Sequence, residues 1–340
     1  MNRTLIALGV AATVALPVVA EAAPKIYGKL NLSVEQYEKE YDNPATKPDE
    51  LVRLQTNDSR FGVKGEDELT ATLSAVYQIE WEVLADTAGT TTDMKQRNRF
   101  IGIKSQDFGT VKLGAYDTYL KLAQGKADLF NDLYGDMKYV IAGENRANDV
   151  VAYESPKFLG GLQVNAMAQT QDGNAAGTTK NSKNGNSASI VYDNSDIGLW
   201  AALAMDNNLN YSSTPLNSTA REIDAMRLVL AYTIAGLTVS GVYNTVEDAV
   251  GTAGNEETGM TVGVAYKLGD QTIKAQYGTA EADLATASTQ EKTQLSVGVD
   301  HNFNSKTRAY VFYTAKEEDK LAALADTEET SLGLGIEHNF

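Results

Sequence analysis

The sequence predicts an all-β chain, a transmembrane antiparallel β-barrel of about 16 strands. Three observations predict it. Apolar and polar side chains alternate with a period of two over most of the chain, tight turns exchange regularly with long polar connections, and an exportable N-terminus is paired with a terminal Phe340.

The N-terminus is an address. Met1-Asn2-Arg3 supplies one positive charge, Thr4 to Val19 is uncharged and mostly apolar, and Ala20-Glu21-Ala22 has the A-x-A form of a signal-peptidase site. Residues 1–22 are therefore expected to be a cleaved signal peptide and 23–340 the barrel. The competing reading, a buried helix or anchor, fits poorly with a short terminal stretch closed by small residues.

The strands follow in order. Ile26 to Val34 alternates through Tyr27, Lys29, Asn31 and Ser33. Thr70 to Val83 sets Leu73, Ala75, Tyr77, Ile79, Trp81 and Val83 on one face, with Thr72, Ser74, Gln78, Glu80 and Glu82 on the other. That run exceeds the roughly 9 to 11 tilted residues that cross a bilayer. Met260 to Leu268 and Leu295 to Asp300 alternate in the same way. The second face is too polar for a packed sandwich, whose two inner faces must both be apolar. A water-filled barrel satisfies the pattern.

Tight turns are expected at Gly65–Glu68, Gln106–Gly109, Pro156–Gly161, Asp193–Asp196, Ile234–Gly236, Gly269-Asp270 and Asn304-Ser305, all rich in turn formers. Longer polar stretches lie near 38–50, 84–95, 117–147, 170–186, 206–220, 247–257, 281–291 and 315–328. Seven turns and eight loops imply sixteen strands, with both termini on the periplasmic side. Sixteen strands enclose an aqueous lumen rather than a filled core. Leu228 to Val246 has the length of a membrane helix, but Gly236, Thr238, Ser240, Gly241 and Asn244 interrupt it, so it is read as two strands around a turn. The last strand places Leu332, Leu334, Ile336, His338 and Phe340 at period two.

Composition removes several classes of function. The formal charge of −16 opposes neutralisation of nucleic-acid phosphates. The absence of Cys and the presence of two His exclude disulfides and thiol chemistry and leave little for soft-metal ligation. No cofactor is expected. An outer-membrane barrel hydrolase would need a His beside a nucleophile or acid, and His301 and His338 both fall near strand ends expected to be periplasmic. A secreted sandwich or adhesin is the structural rival.

Several segments resemble Gram-negative general (diffusion) porins. They are Ile26-Tyr27-Gly28-Lys29, Ser59-Arg60-Phe61-Gly62-Val63-Lys64-Gly65-Glu66, Arg97-Asn98-Arg99-Phe100-Ile101-Gly102-Ile103-Lys104, Phe108-Gly109-Thr110-Val111-Lys112-Leu113-Gly114 and Tyr153-Glu154-Ser155-Pro156. Their order and spacing carry the resemblance. Terminal Phe340 resembles the signal by which barrel assembly machinery recognises such chains. The resemblance implies a homotrimer in the outer membrane, contact with lipopolysaccharide, and passive diffusion of ions and small hydrophilic solutes. A substrate-selective channel is the alternative within transport.

The resemblance also implies a third loop, here from about Tyr116 to Asn145, folded into the pore. Its core, Asp128-Leu129-Phe130-Asn131-Asp132-Leu133-Tyr134-Gly135-Asp136, resembles the acidic third-loop motif, with Leu133 and Asn131 departing from the aromatic and proline of that pattern. Family members place basic residues across the pore, and the matching positions are Lys29, Arg60, Arg97 and Arg146. Many relatives carry a further Arg where this chain has Ala152, which implies a pore less favourable to anions.

Physically, acids facing bases across a narrow aqueous gap create a transverse field that penalises apolar solutes. Each residue has a bland alternative. Lys29 and Arg60 share the polar face of their strands, which need not lie at the constriction. Arg97 and Arg99 share parity with Ile101 and Ile103, which conflicts with a lumen position unless a bulge intervenes or that wall packs on a neighbouring subunit. Arg146 at a loop junction, and Asp128, Asp132 and Asp136 in the loop, could each be ordinary solvated charges. Glu317-Glu318-Asp319 and Asp326-Thr327-Glu328-Glu329 flank an outer loop where divalent cations could bridge to lipopolysaccharide, or where the charge is simply solvated. Tyr77, Tyr192, Tyr266 and Tyr277 fit interfacial girdles.

Overall fold

The computed structural model describes residues 23–43, 46–87, 94–170, 185–216, 221–249, 255–283, 290–319 and 326–340. The expected signal peptide, residues 1–22, lies outside them. Seventeen strand segments run in chain order: β1 Lys25–Tyr41, β2 Asp49–Thr56, β3 Arg60–Thr70, β4 Leu73–Val83, β5 Met94–Ser105 and β6 Gly109–Asp117. After one helical turn, α1 Tyr119–Ala123, come β7 Arg146–Glu154, β8 Leu162–Gln169, β9 Asn186–Asn194, β10 Leu199–Tyr211, β11 Arg221–Ile234 and β12 Leu237–Asp248. The chain ends with β13 Glu256–Leu268, β14 Gln271–Asp283, β15 Gln290–Asn302, β16 Thr307–Asp319 and β17 Thr327–Asn339.

β2 and β3 are two halves of one barrel strand, so the closed antiparallel barrel has sixteen. Both halves pair with β1, at Leu32 opposite Thr56 and at Lys29 opposite Arg60, a register offset by one residue. The break falls at Asn57-Asp58-Ser59, where Asp58 has φ +50°. Its polar groups are used rather than orphaned. Asn57 N–H and Ser59 Oγ–H both donate to the Asn31 carbonyl, and the Asn57 amide donates to Ser33 Oγ and Tyr310 Oη. Such a bulge re-aims the side chains beside it.

Closure joins β17 to β1, with Asn339 opposite Lys29 and Thr327 opposite Tyr41. Gly28 and Phe340 exchange both backbone hydrogen bonds, at 3.0 and 3.2 Å. The Phe340 ring lies so close that a Cβ on Gly28 would be 2.5 Å from Cζ. Closing this seam matters because an edge strand in hydrocarbon leaves each unpaired backbone group at a cost of several kcal/mol.

The alternation settles which face is which. On β1, Asn31 and Ser33 are buried on the inner face, while Leu30 and Val34 are 46% and 52% exposed on the outer one. Tyr266, Tyr277 and Tyr313 share the outward, exposed apolar surface. Leu228 to Val246 forms the β11–β12 hairpin about Ala235-Gly236, as expected.

One turn is displaced from its expected place. Gly65-Glu66-Asp67-Glu68 is strand, with Asp67 opposite Ala75, and the chain reverses at Ala71-Thr72. Gly65 is there for packing: a Cβ would lie 2.3 Å from Tyr77 Oη on the neighbouring strand.

Candidate functional site

The segment 118–145 between β6 and β7 is hydrogen-bonded to side chains of β9, β10, β12, β14 and β15. Thr118 caps α1, and Ser187 Oγ of β9 accepts the free N–H groups of Tyr119 and Leu120 at 2.8 and 3.3 Å. Trp200 Nε1 donates to the Ala123 carbonyl and Ser240 Oγ donates to that of Ala127. Further along, Gln276 accepts from Leu129 N, Lys274 Nζ donates to Leu129 O, and Gln294 donates to Gly135 O. The wall is made of small residues where the segment lies closest. A Cβ on Gly259 or Gly278 would strike Val140, and one on Gly263 would strike Leu129. Farther round, Lys316 Nζ sits 3.5 Å from the Tyr134 ring centroid, and the Arg53 guanidinium is 4.9 Å from it.

The acids of the loop core play different parts. Asp132, at φ +67°, ion-pairs with Lys29 of β1 and lies 3.4 Å from Arg60 of β3. Burial raises its carboxyl, but Lys29 and Arg60 outweigh that and hold it down at about 2. Asp128 differs from the pore-lining expectation. It is buried, and its carboxylate accepts from Phe130 N, Met137 N and the Gln276 amide at 3.0 to 3.1 Å. Burial, with Asp136 nearby, pushes its carboxyl well up. Asp136 is likewise turned inward on the loop, accepting from Asp132 N and Lys138 N at 2.9 and 2.8 Å. These two carboxylates brace the loop's own backbone.

The four basic wall positions all carry carboxylate partners. Lys29 has Glu337 at 3.7 Å besides Asp132. Arg97 lies 2.7 Å from Glu80, 3.6 Å from Asp58 and 3.7 Å from Glu82. Arg146 is 2.8 Å from Asp117 and donates to Asn98 Oδ1 at 2.9 Å. Arg97 and Arg146 are thus compensated by carboxylates of the wall itself, Lys29 by Glu337 of the wall and Asp132 of the loop, and Arg60 by Asp132. Asp58, in the break between β2 and β3, also has the Lys138 ammonium at 3.9 Å.

A bulge resolves the parity conflict at Arg97. Ile79 opposes Arg99 and Trp81 opposes Gln96, so Glu80 alone faces both Arg97 and Asn98. Arg97 and Asn98 consequently both reach inner-face carboxylates, whereas Arg99 stays on the face of Ile79 and Ile101. The sequence reading missed Asp58, Asp117 and Arg53 as members of this array. Glu80 and Glu82 were visible as the polar face of β4. Arg227, on β11, gave no signal in the sequence either.

A family model for the Gram-negative porin matches residues 7–321. The chain belongs to that family, whose members are outer-membrane barrels and not enzymes. It is 31% identical over 174 residues to the major outer membrane protein P.IB of Neisseria gonorrhoeae, covering 50% of this chain and 42% of that one. It is 34% identical over 170 residues to the corresponding protein of Neisseria lactamica, covering 47% and 48%. The aligned part of the chain thus spans about half the length of these curated relatives. Among solved structures, the anion-selective porin from Comamonas acidovorans superposes with a TM-score of 0.74 at 21% identity, covering 94% of this chain and 99% of that one. The trimer form of OmpT from Vibrio cholerae gives 0.64 at 18% identity, covering 93% and 99%. These likenesses show the fold.

Proposed function

We propose that the chain is a water-filled outer-membrane channel for passive diffusion of ions and small hydrophilic solutes, narrowed where residues 118–145 meet the basic wall. The observation that carries this reading is the ion pairing of Asp132 with both Lys29 and Arg60, beside Arg97 and Arg146. It ties a loop held by β9 to β16 onto β1 and β3. Fixed opposite charges at this spacing produce a strong local field, which favours solutes that keep a hydration shell or a dipole and penalises apolar ones.

Because each wall cation is compensated, the constriction discriminates weakly between anions and cations. The net charge of −16 then acts chiefly at the mouths. It is largely screened beyond about 10 Å at 0.1 M salt, so cation preference grows as salt is lowered. Planar-bilayer conductance and reversal potentials in a salt gradient test the reading. Absence of ohmic steps, or strong selectivity unchanged by salt, would contradict it.

The functional unit in this reading is a homotrimer embedded in outer-membrane lipid and lipopolysaccharide. It is exported by cleavage after Ala22 and inserted by barrel assembly machinery that reads Phe340. The family and a trimeric structural neighbour support the first part, and the Ala20-Glu21-Ala22 and Leu332-to-Phe340 patterns support the second. Intact mass of outer-membrane material beginning at Met1, or cross-linking that yields only monomer in mild detergent, would count against them.

A further inference from the structure

Arg227 lies on the inner face of β11 with no exposed surface. Its three hydrogen-bond partners are all neutral. Nε donates to Asn244 Oδ1 of β12 at 3.0 Å, Nη1 to the Leu120 carbonyl at 3.2 Å, and Nη2 to the Ala142 carbonyl. Leu120 is on the limb of the third loop that leaves β6, and Ala142 is on the limb that returns to β7. One planar guanidinium therefore holds both limbs to the barrel wall.

The fit is close from the loop side as well. Gly143, at φ +114°, approaches so tightly that a Cβ there would lie 2.3 Å from Leu120 Cδ2 and 2.6 Å from Arg227 Nη2. Buried Leu120, Ile141, Ile223 and Val246 belong to the surrounding apolar cluster. In that dry setting an arginine keeps its charge and its forked donor geometry, and unmade hydrogen bonds are costly.

We propose that Arg227 is a positioning residue of the channel. It locks the neck of the third loop to β11, so that the far end of the loop, with Asp132, stays seated on Lys29 and Arg60. The proposal rests on the constriction reading above, and it assigns the loop's steadiness to a residue outside the loop and away from the charged array.

Three variants test it, Arg227→Met, Gly143→Ala and Arg227→Lys, each checked for heat-modifiable barrel before recording. Arg227→Met removes the donors, Gly143→Ala attacks the same contact from the loop, and Arg227→Lys keeps the charge on a shorter reach. The first two are expected to raise open-channel current noise several-fold and lower the voltage at which the channel closes, with Arg227→Lys intermediate. They are also expected to shrink the selectivity shift caused by Asp132→Asn, which a residue that merely stabilised the barrel would leave intact. Folded Arg227→Met and Gly143→Ala channels with parental noise, closure voltage and Asp132→Asn shift would overturn the proposal. So would failure of both to form a barrel, which would make Arg227 an assembly residue. If Asp132→Asn has no effect in the parent while Arg227→Met is noisy, the constriction reading fails and the neck lock stands.

Discussion

Asp132 in the loop between β6 and β7 is ion-paired with Lys29 on the first strand, two groups separated by 103 residues in sequence. Arg60 shares the same carboxylate at 3.4 Å. Removing that carboxylate leaves two inner-wall cations without it. Asp132→Asn is expected to shift permeability toward anions by a few-fold, since one charge acting over several ångströms at an intermediate dielectric is worth about 1 kcal/mol. Reversal potentials in a salt gradient measure this.

Asp128→Asn serves as the contrast. Its carboxylate is buried and engaged with Phe130 N, Met137 N and Gln276. The substitution is expected to disturb the loop, seen as added current noise, while shifting selectivity much less than Asp132→Asn does. An equal shift in both variants would return Asp128 to the pore lining.

Arg97→Ser should move selectivity the other way. It releases Glu80, Glu82 and Asp58, all within 3.7 Å of the guanidinium, and creates a local acidic site. The expected change is toward cations and larger than that of Arg99→Ser, because Arg99 lies on the opposite face of the strand. Matching reversal potentials for the two serine variants would contradict the bulge assignment.

The pH dependence follows from the sign of the Asp132 shift. A carboxyl held at about 2 in the folded protein, below its unfolded value of about 3.9, contributes stability that is present above the unfolded value and lost as pH falls through the folded one. The difference in reversal potential between parent and Asp132→Asn is expected to persist at about pH 3 and to fall to half only near 2. Its falling to half already at about pH 4 would show that the ion pairs do not control this carboxyl.

At the seam, deletion of Phe340 removes the residue that exchanges backbone hydrogen bonds with Gly28. Loss of most heat-modifiable barrel is expected. Gly28→Ala should lower the temperature at which the barrel unfolds, because its Cβ would meet the Phe340 ring. Undiminished barrel in the deletion strain, even at high expression, would contradict the role given to this residue.

Much of the barrel was legible because lipid and water impose period two on every strand, and that signal survives a single exception such as Val76, an apolar residue in register with the polar face of Ser74, Gln78 and Glu80. Where it was misread, a local residue served another purpose. Gly65 signalled a turn but makes room for Tyr77, and the parity of Arg97 was undone by a one-residue bulge that no residue type announces. In the site, sequence displayed charge but not direction. Asp128, Asp132 and Asp136 look alike along the chain, yet backbone N–H groups capture two of them and only Asp132 reaches the wall bases. Arg227 stood one residue before the uncharged run from Leu228 to Val246 and drew no notice, since its partners are carbonyls from two distant limbs of a loop.

Single-channel conductance in planar bilayers, compared between the parent and a variant lacking residues 126–137, tests the central claim most directly. Discrete ohmic steps are expected from the parent, with larger steps and weaker discrimination among solute sizes from the shortened loop. Equal conductance in two well-folded barrels would contradict the claim that this segment narrows the lumen, and the absence of steps in the parent would contradict the channel itself.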